Sequence, residues 1–290
     1  LAILLFFFVG GIISVLGGFF GVGGGFILTP ILLLTGFSPL VAITTSLFFT
    51  IGTSISGIFA HYRLKNIMWK EGMILGLSGV AATQLAHPVV LFFENRGWDD
   101  VIIPAFYALL LGYFAISMMR RGKKASIQAK KTYSKPSIVK LLFIGFFGGF
   151  VSTLLGVGGG FIMVPLSISF LGLEPRKAVG TSLFAVLSIV SVGFISYALT
   201  VSFDYRVGLL LIAGGLVGSQ FGAKLTVYFQ NYEISQMLSV LYVATFLSVI
   251  LKLLNLSEIG LGLISLFVAI FFIFAFMKIH HKRKEGSMAN

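Results

Sequence analysis

Two short stretches hold the residues with the clearest chemical use. GVGGGFILTP occupies Gly21 to Pro30, and GVGGGFIMVP occupies Gly156 to Pro165. Each interrupts a run that is otherwise almost pure hydrocarbon, and both glycine and proline are poor residues for a helix interior. A helix that begins just after Gly25 or Gly160 presents unpaired N–H groups and the positive end of its dipole, and both favour an anion. Gly23, Gly24 and Gly25, with Gly158, Gly159 and Gly160, let the backbone approach a ligand with no Cβ in the way. Close packing of helices through small residues is the competing use of such glycines. Two copies in matching positions favour the ligand. Neither stretch is a nucleotide loop, because no Gly-Lys-Ser/Thr follows it.

Further polar residues recur in matched positions: Thr45-Ser46 with Thr181-Ser182, and Gln84 with Gln220. The hydroxyl pairs fall near the start of the helix after each glycine break, and they suit the same ligand. Their alternative is a hydrogen bond to a carbonyl one turn back. An amide deep in an apolar span is costly unless it is partnered, so Gln84 and Gln220 bond either a neighbouring helix or the ligand. His61 and His87 are unmatched, standing against Tyr197 and Ala223. Both are expected near helix ends, as caps rather than proton carriers. No cofactor and no metal ligand set is expected.

These residues must be held by membrane helices. The chain is 57% hydrophobic and 10% charged, against about 25% charged in a soluble domain. No Asp, Glu, Lys or Arg occurs from Leu1 to Tyr62, from Leu141 to Leu173 or from Ile259 to Met277. A spanning helix needs about 20 apolar residues. The alternating polarity of a membrane β-barrel is absent. The fold class is therefore all-α, a polytopic membrane protein. The opening run LAILLFFFVG reads as a membrane segment rather than a signal peptide, having no basic flank and no small-residue cleavage site.

The net charge of +12 does not point to nucleic acid. Of the 21 Lys and Arg, eight lie between Arg120 and Lys140 and four between Lys278 and Lys284. Basic loops beside apolar spans mark the cytoplasmic side and touch anionic lipid. The linker and the C-terminal tail are thus expected inside, and the lipid bilayer is the expected surrounding partner.

The chain is a repeat. At an offset of 135 residues, eight of the ten positions of the two glycine stretches are identical. At an offset of 136 the register continues: Pro39, Ala42, Thr45, Ser46, Leu47 and Phe48 meet Pro175, Ala178, Thr181, Ser182, Leu183 and Phe184. The expected division is a first repeat over 1–119, a basic linker over 120–138, a second repeat over 139–279 and a tail over 280–290. Each repeat holds a Gly-broken helical hairpin and three or four spanning helices. Charge favours inversion. If each hairpin dips in and returns to its own side, every basic segment falls on one face, as in the inverted repeats of secondary transporters. The alternative is one broken, tilted helix per repeat.

With these residues in hand, the chain resembles the TauE/SafE family of sulfite and organosulfonate permeases. The resemblance rests on the G-x-G-G-G-F element at Gly21 and Gly156, which includes Phe26 and Phe161 and is followed by a proline. It rests also on the P-x-x-A-x-x-T-S-L element at Pro39 and Pro175. It implies a multi-pass carrier of the bacterial inner membrane for a small anion, often a sulfur oxyanion or sulfonate. Members differ in substrate and direction. An enzyme is disfavoured, since no cluster of His, Asp and Glu falls at membrane depth. A channel lacks a carbonyl-lined filter signature. The sequence leaves room for a homodimer.

Overall fold

The computed structural model describes residues 2–125 and 137–288. The core of the basic linker, 126–136, lies outside the described residues. All regular structure among them is helical. In chain order the helices are α1 (Ala2–Phe20), α2 (Gly25–Leu34), α3 (Pro39–Arg63), α4 (Trp69–Asn95), α5 (Asp99–Ala125), α6 (Ile138–Leu155), α7 (Gly160–Phe170), α8 (Pro175–Ala198), α9 (Tyr205–Leu225), α10 (Asn231–Leu253) and α11 (Ser257–Met288). Among the described residues, eight helices are long and apolar enough to cross a membrane. The first repeat comprises α1–α5 and the second α6–α10, with α11 extra. α5 and α11 run on into the stretches assigned from sequence to linker and tail, where Lys and Arg are good helix formers.

Small residues set the packing. A Cβ placed on Gly10 would stand 2.2 Å from the Leu211 carbonyl oxygen, and one on Gly18 would stand 2.1 Å from that of Ser219. Numbers rise together along both helices, so α1 and α9 are parallel and in near-backbone contact. The second repeat copies this. Gly145 meets Leu75 and Gly149 meets Gly79, and Thr153 donates to Thr83 at 3.0 Å. Hence α6 and α4 are parallel. α3 also runs parallel to α9, because Phe48 meets Gly208, Ile212 meets Gly52 and Ser56 donates to the Leu216 carbonyl. α8 runs parallel to α4, through Phe184 on Gly72 and Ser188 on Gly76.

Direction follows from these registers. Residues 64–68 join α3 to α4, and a stretch so short, at about 3.5 Å per residue, cannot recross a core of about 30 Å. α4 therefore opposes α3. Since α8 is parallel to α4, α8 opposes its own homologue α3, and the two repeats are inverted relative to one another. The same logic makes α2 a return stroke. α1 and α3 run the same way, so the chain must come back between them, and α7 does so between α6 and α8. Each glycine stretch is thus the tip of a hairpin that ends inside the protein.

Candidate functional site

The two hairpin tips meet. Residues 21–30 and 156–167 are all buried. A Cβ on Gly25 would lie 2.8 Å from the Gly156 carbonyl oxygen, and one on Gly160 would lie 2.4 Å from that of Gly21. The rings of Phe26 and Phe161 stack with centroids 5.2 Å apart. Glycine is obligatory at Gly156 on two counts. Its φ is +70°, and a Cβ there would sit 2.5 Å from the Ile43 Cα.

A helix broken in hydrocarbon strands its terminal carbonyls, and each must find a donor. Six carbonyls around the breaks find side-chain donors, in three pairs related by the repeat. The last turn of α1 leaves the Gly18 carbonyl open, and His61 Nε2 donates to it at 3.0 Å. The matching Thr153 carbonyl takes the Tyr197 hydroxyl at 2.9 Å. Ser182 donates to the Gly21 carbonyl at 2.8 Å, and Thr29 donates to that of Gly156 at 3.1 Å. The prolines explain the third pair. Pro30 and Pro165 lack the N–H that would bond the carbonyl four residues back. Those carbonyls belong to Phe26 and Phe161. They receive the hydroxyls of Tyr107 at 2.7 Å and Tyr242 at 2.5 Å. Both tyrosines are fully buried.

The amides are not so evenly served. At the start of α2, Gly25 N–H donates to Thr50 Oγ1 at 2.9 Å and Gly24 N–H to Thr53 Oγ1 at 3.3 Å. The equivalents of Thr50 and Thr53 in the second repeat are Val186 and Ile189. The amides of Gly159 and Gly160, opening α7, therefore have no such hydroxyl. Two buried hydroxyls stand without a partner in this region, Ser46 and Ser152. Ser152 is close to the break, its Cβ 3.1 Å from where a Cβ on Gly159 would be. The Gly156 carbonyl, counterpart of the one that Ser182 holds, takes Thr29 instead, and Ser46 has no partner.

The structure gathers Gly23, Gly24, Gly25, Phe26, Ser46, Gly158, Gly159, Gly160, Phe161 and Ser182 at one place. The other sequence candidates stand elsewhere. Thr45 is buried, and none of the side-chain hydrogen bonds at the breaks is made by it. Thr181, one residue and about 100° round the helix from Ser182, accepts a hydrogen bond from the Met68 amide at 3.0 Å and so fixes the α3–α4 turn. Gln84 is exposed on α4, and Gln220 faces an outer groove. Their inward neighbours are Thr83, joined to Thr153, and Ser219, which donates to the Thr53 carbonyl at 2.7 Å.

Comparison with known proteins places this arrangement. The profile described as Sulfite exporter TauE/SafE matches residues 6–249, both glycine breaks included. The chain belongs to this family. A probable membrane transporter protein of Methanocaldococcus jannaschii is 31% identical over 222 residues, covering 73% of this chain and 79% of that protein. The probable membrane transporter protein YunE of Bacillus subtilis is 25% identical over 255 residues, covering 80% and 91%. No solved structure matches the chain. This TauE/SafE protein is a transporter, not an enzyme.

Reading the sequence missed Thr29, Thr50, Thr53, Tyr107, Ser152 and Tyr242. The tyrosines were within reach. They stand 135 residues apart, the offset of the glycine stretches, and each break carries a proline four residues after its phenylalanine. This pairing gives a prediction. Tyr107→Phe strands the Phe26 carbonyl and should lower stability by about 1–3 kcal/mol, read as a fall in melting temperature in detergent. Adding Pro30→Ala restores a backbone donor to that carbonyl and should recover part of the loss. If Pro30→Ala costs the same in both backgrounds, the two residues are not linked.

Proposed function

We propose that this TauE/SafE protein exports a small sulfur-containing anion, such as sulfite or an organosulfonate, and binds it at the start of α7. The observation that supports this reading is the imbalance between the two breaks. Six stranded carbonyls have donors, whereas the amides of Gly159 and Gly160 lack the threonines that serve Gly24 and Gly25. A helix start with free N–H groups carries roughly +0.5 of a charge and favours an anion. The idle hydroxyls of Ser152 and Ser46 add neutral donors suited to a sulfur oxyanion. The packed breaks correspond to a closed state, and the anion enters as the hairpin tips part.

Orientation follows from charge. The helix directions bring Arg63, Lys65, Lys70, Lys140, Arg176, Lys177 and Lys224 to one end, with Glu71, Glu174 and Glu233, and bring Glu94, Asp99, Asp100, Asp204 and Glu258 to the other, with Arg96, Arg206 and Lys252, so the first end is the basic one. By the positive-inside rule the basic end is cytoplasmic, in a bacterial inner membrane. The test is equilibrium binding of the purified protein to sulfite, sulfoacetate, taurine, sulfate, acetate and phosphate. At least one sulfur anion should bind, and Ser152→Ala should weaken it about tenfold or more, the worth of a hydrogen bond to a charged group. Equal affinity in Ser152→Ala would contradict the site.

A further inference from the structure

An outer groove of about 530 Å³ lies where α3, α4 and α9 come together near the basic end. Sites that hold a drug-sized molecule measure about 300–1,000 Å³. Its walls are apolar, with Ile55, Phe59 and Leu216 among them, and Gln220 supplies its one amide. Nothing in the transport reading uses this groove. It faces outward, and no ammonium or guanidinium lines it, so it is not built for a small polar anion.

Depth and charge identify the occupant. Ser56 bonds the Leu216 carbonyl and α3 runs parallel to α9, so Gln220 stands level with Ala60, about one turn short of the end of α3. α3 has 25 residues and is about 37 Å long, so a hydrocarbon core of about 30 Å gives way to the ester region about one turn from its end. Tyr62 and Trp69, both at the groove, pack edge to face at 6.0 Å. They are the amphipathic aromatics of a membrane interface. Beyond them lie cations. Arg63 stacks on the Phe59 ring at 4.2 Å. Lys224 is exposed on the same face as Gln220, one turn nearer the end. Lys65 and Lys70 are exposed on the adjoining turn, beside Glu71.

From top to bottom the surface therefore reads cation, aromatic, amide, hydrocarbon. We infer that this groove binds an anionic phospholipid. One acyl chain lies along Ile55 and Leu216, an ester carbonyl accepts from the Gln220 amide, and the phosphate meets Lys224 and Arg63. A second copy of the chain fits less well, because it would bring two basic ends together. The matching place in the other repeat keeps the amide as Gln84, an aromatic as Tyr205 and one cation as Arg206, but Leu199 and Pro88 replace Arg63 and Lys224, the two cations that flank the groove. The site thus belongs to one leaflet alone.

The chain contains two tryptophans, Trp69 and Trp98, so Trp98→Phe leaves a reporter in the groove wall. The protein is reconstituted in phosphatidylcholine vesicles with increasing brominated phosphatidylglycerol, and separately with brominated phosphatidylcholine. Trp69 fluorescence should be quenched with a preference for phosphatidylglycerol of at least about fivefold, the worth of one interfacial cation. The preference should fall to near unity in Lys224→Gln with Arg63→Gln, and in high salt. Equal quenching by the two lipids overturns the proposal. So does the absence of quenching by either together with a cross-linked dimer, which would assign the groove to a second copy.

Discussion

Gly159→Leu is expected to abolish anion flux while leaving the protein inserted in the membrane. The backbone at Gly159 has φ +68°, and a Cβ there would come within 2.6 Å of the Gly148 carbonyl oxygen. Backbone cannot swing aside as a side chain can. A leucine would therefore fill the mouth of α7 and push it away from α6. Gly24→Leu should also abolish flux, by a different clash: its φ is an ordinary −70°, but its Cβ would stand 2.1 Å from the ring of Phe49, which is itself fully buried. Two controls separate loss of the site from loss of the fold. Gly172→Ala has the same kind of backbone, φ +69°, with nothing within 4 Å of the new Cβ. It carries only the left-handed penalty of about 1–2 kcal/mol and should keep most of its flux. Lys131→Ala, in the linker, should be silent. Vesicle uptake, normalised to inserted protein, reads all four. Wild-type flux in correctly inserted Gly159→Leu would remove the break from the mechanism.

The second large effect concerns the driving force. All nine carboxylates stand at helix ends or caps, including Glu233, which is paired with Lys278 at 2.5 Å in the first turn of α10. Ion-coupled carriers usually place an ionisable group at membrane depth. The buried His61 does not supply one. Its Nε2 donates to the Gly18 carbonyl, and its Nδ1 lies 3.3 Å from the Asn66 amide. Its counterpart in the other repeat is Tyr197, which does the same work without a basic nitrogen. The role is that of a neutral donor to a stranded carbonyl. A negative interior drives an anion outward by about 2.3 kcal/mol per 100 mV. At roughly 150 mV that is about 3.5 kcal/mol, a few-hundredfold gradient for a monovalent anion. Proteoliposomes under a potassium–valinomycin potential at clamped pH, without sodium, should show that flux. A strict need for a proton or sodium gradient would contradict uniport.

The glycine breaks, the repeat and the membrane class were legible because each rests on a local pattern. Glycine runs, a fixed offset and uncharged stretches need no knowledge of packing. The return stroke was legible from charge, because only that path leaves the basic segments on one face. Which side of a helix turns inward was not. Gln84 and Thr83 are adjacent in sequence, yet one faces out and the other bonds Thr153. A largely apolar helix with scattered polar residues, such as α4, has no single polar face from which to read its rotation. The same limit hid Thr50 and Thr53. Their value comes from meeting the amides of Gly25 and Gly24, a relation across the hairpin that no single segment displays.

That relation also supplies the sharpest test. Val186→Thr changes a methyl for a hydroxyl of nearly equal size at the position matching Thr50. Thr50 donates to the Ser46 carbonyl at 2.7 Å while accepting from Gly25 N–H. The introduced hydroxyl is expected to bridge the matching groups, the Ser182 carbonyl and Gly160 N–H, and the fold should hold. The measurement is the dissociation constant of the best-binding sulfur anion for wild type and Val186→Thr, with melting temperature as the check on folding. With the Gly160 amide occupied, affinity should fall at least about tenfold, the loss expected when a hydrogen bond to a charged ligand goes. An unchanged constant in a stably folded variant would contradict an anion site at the start of α7.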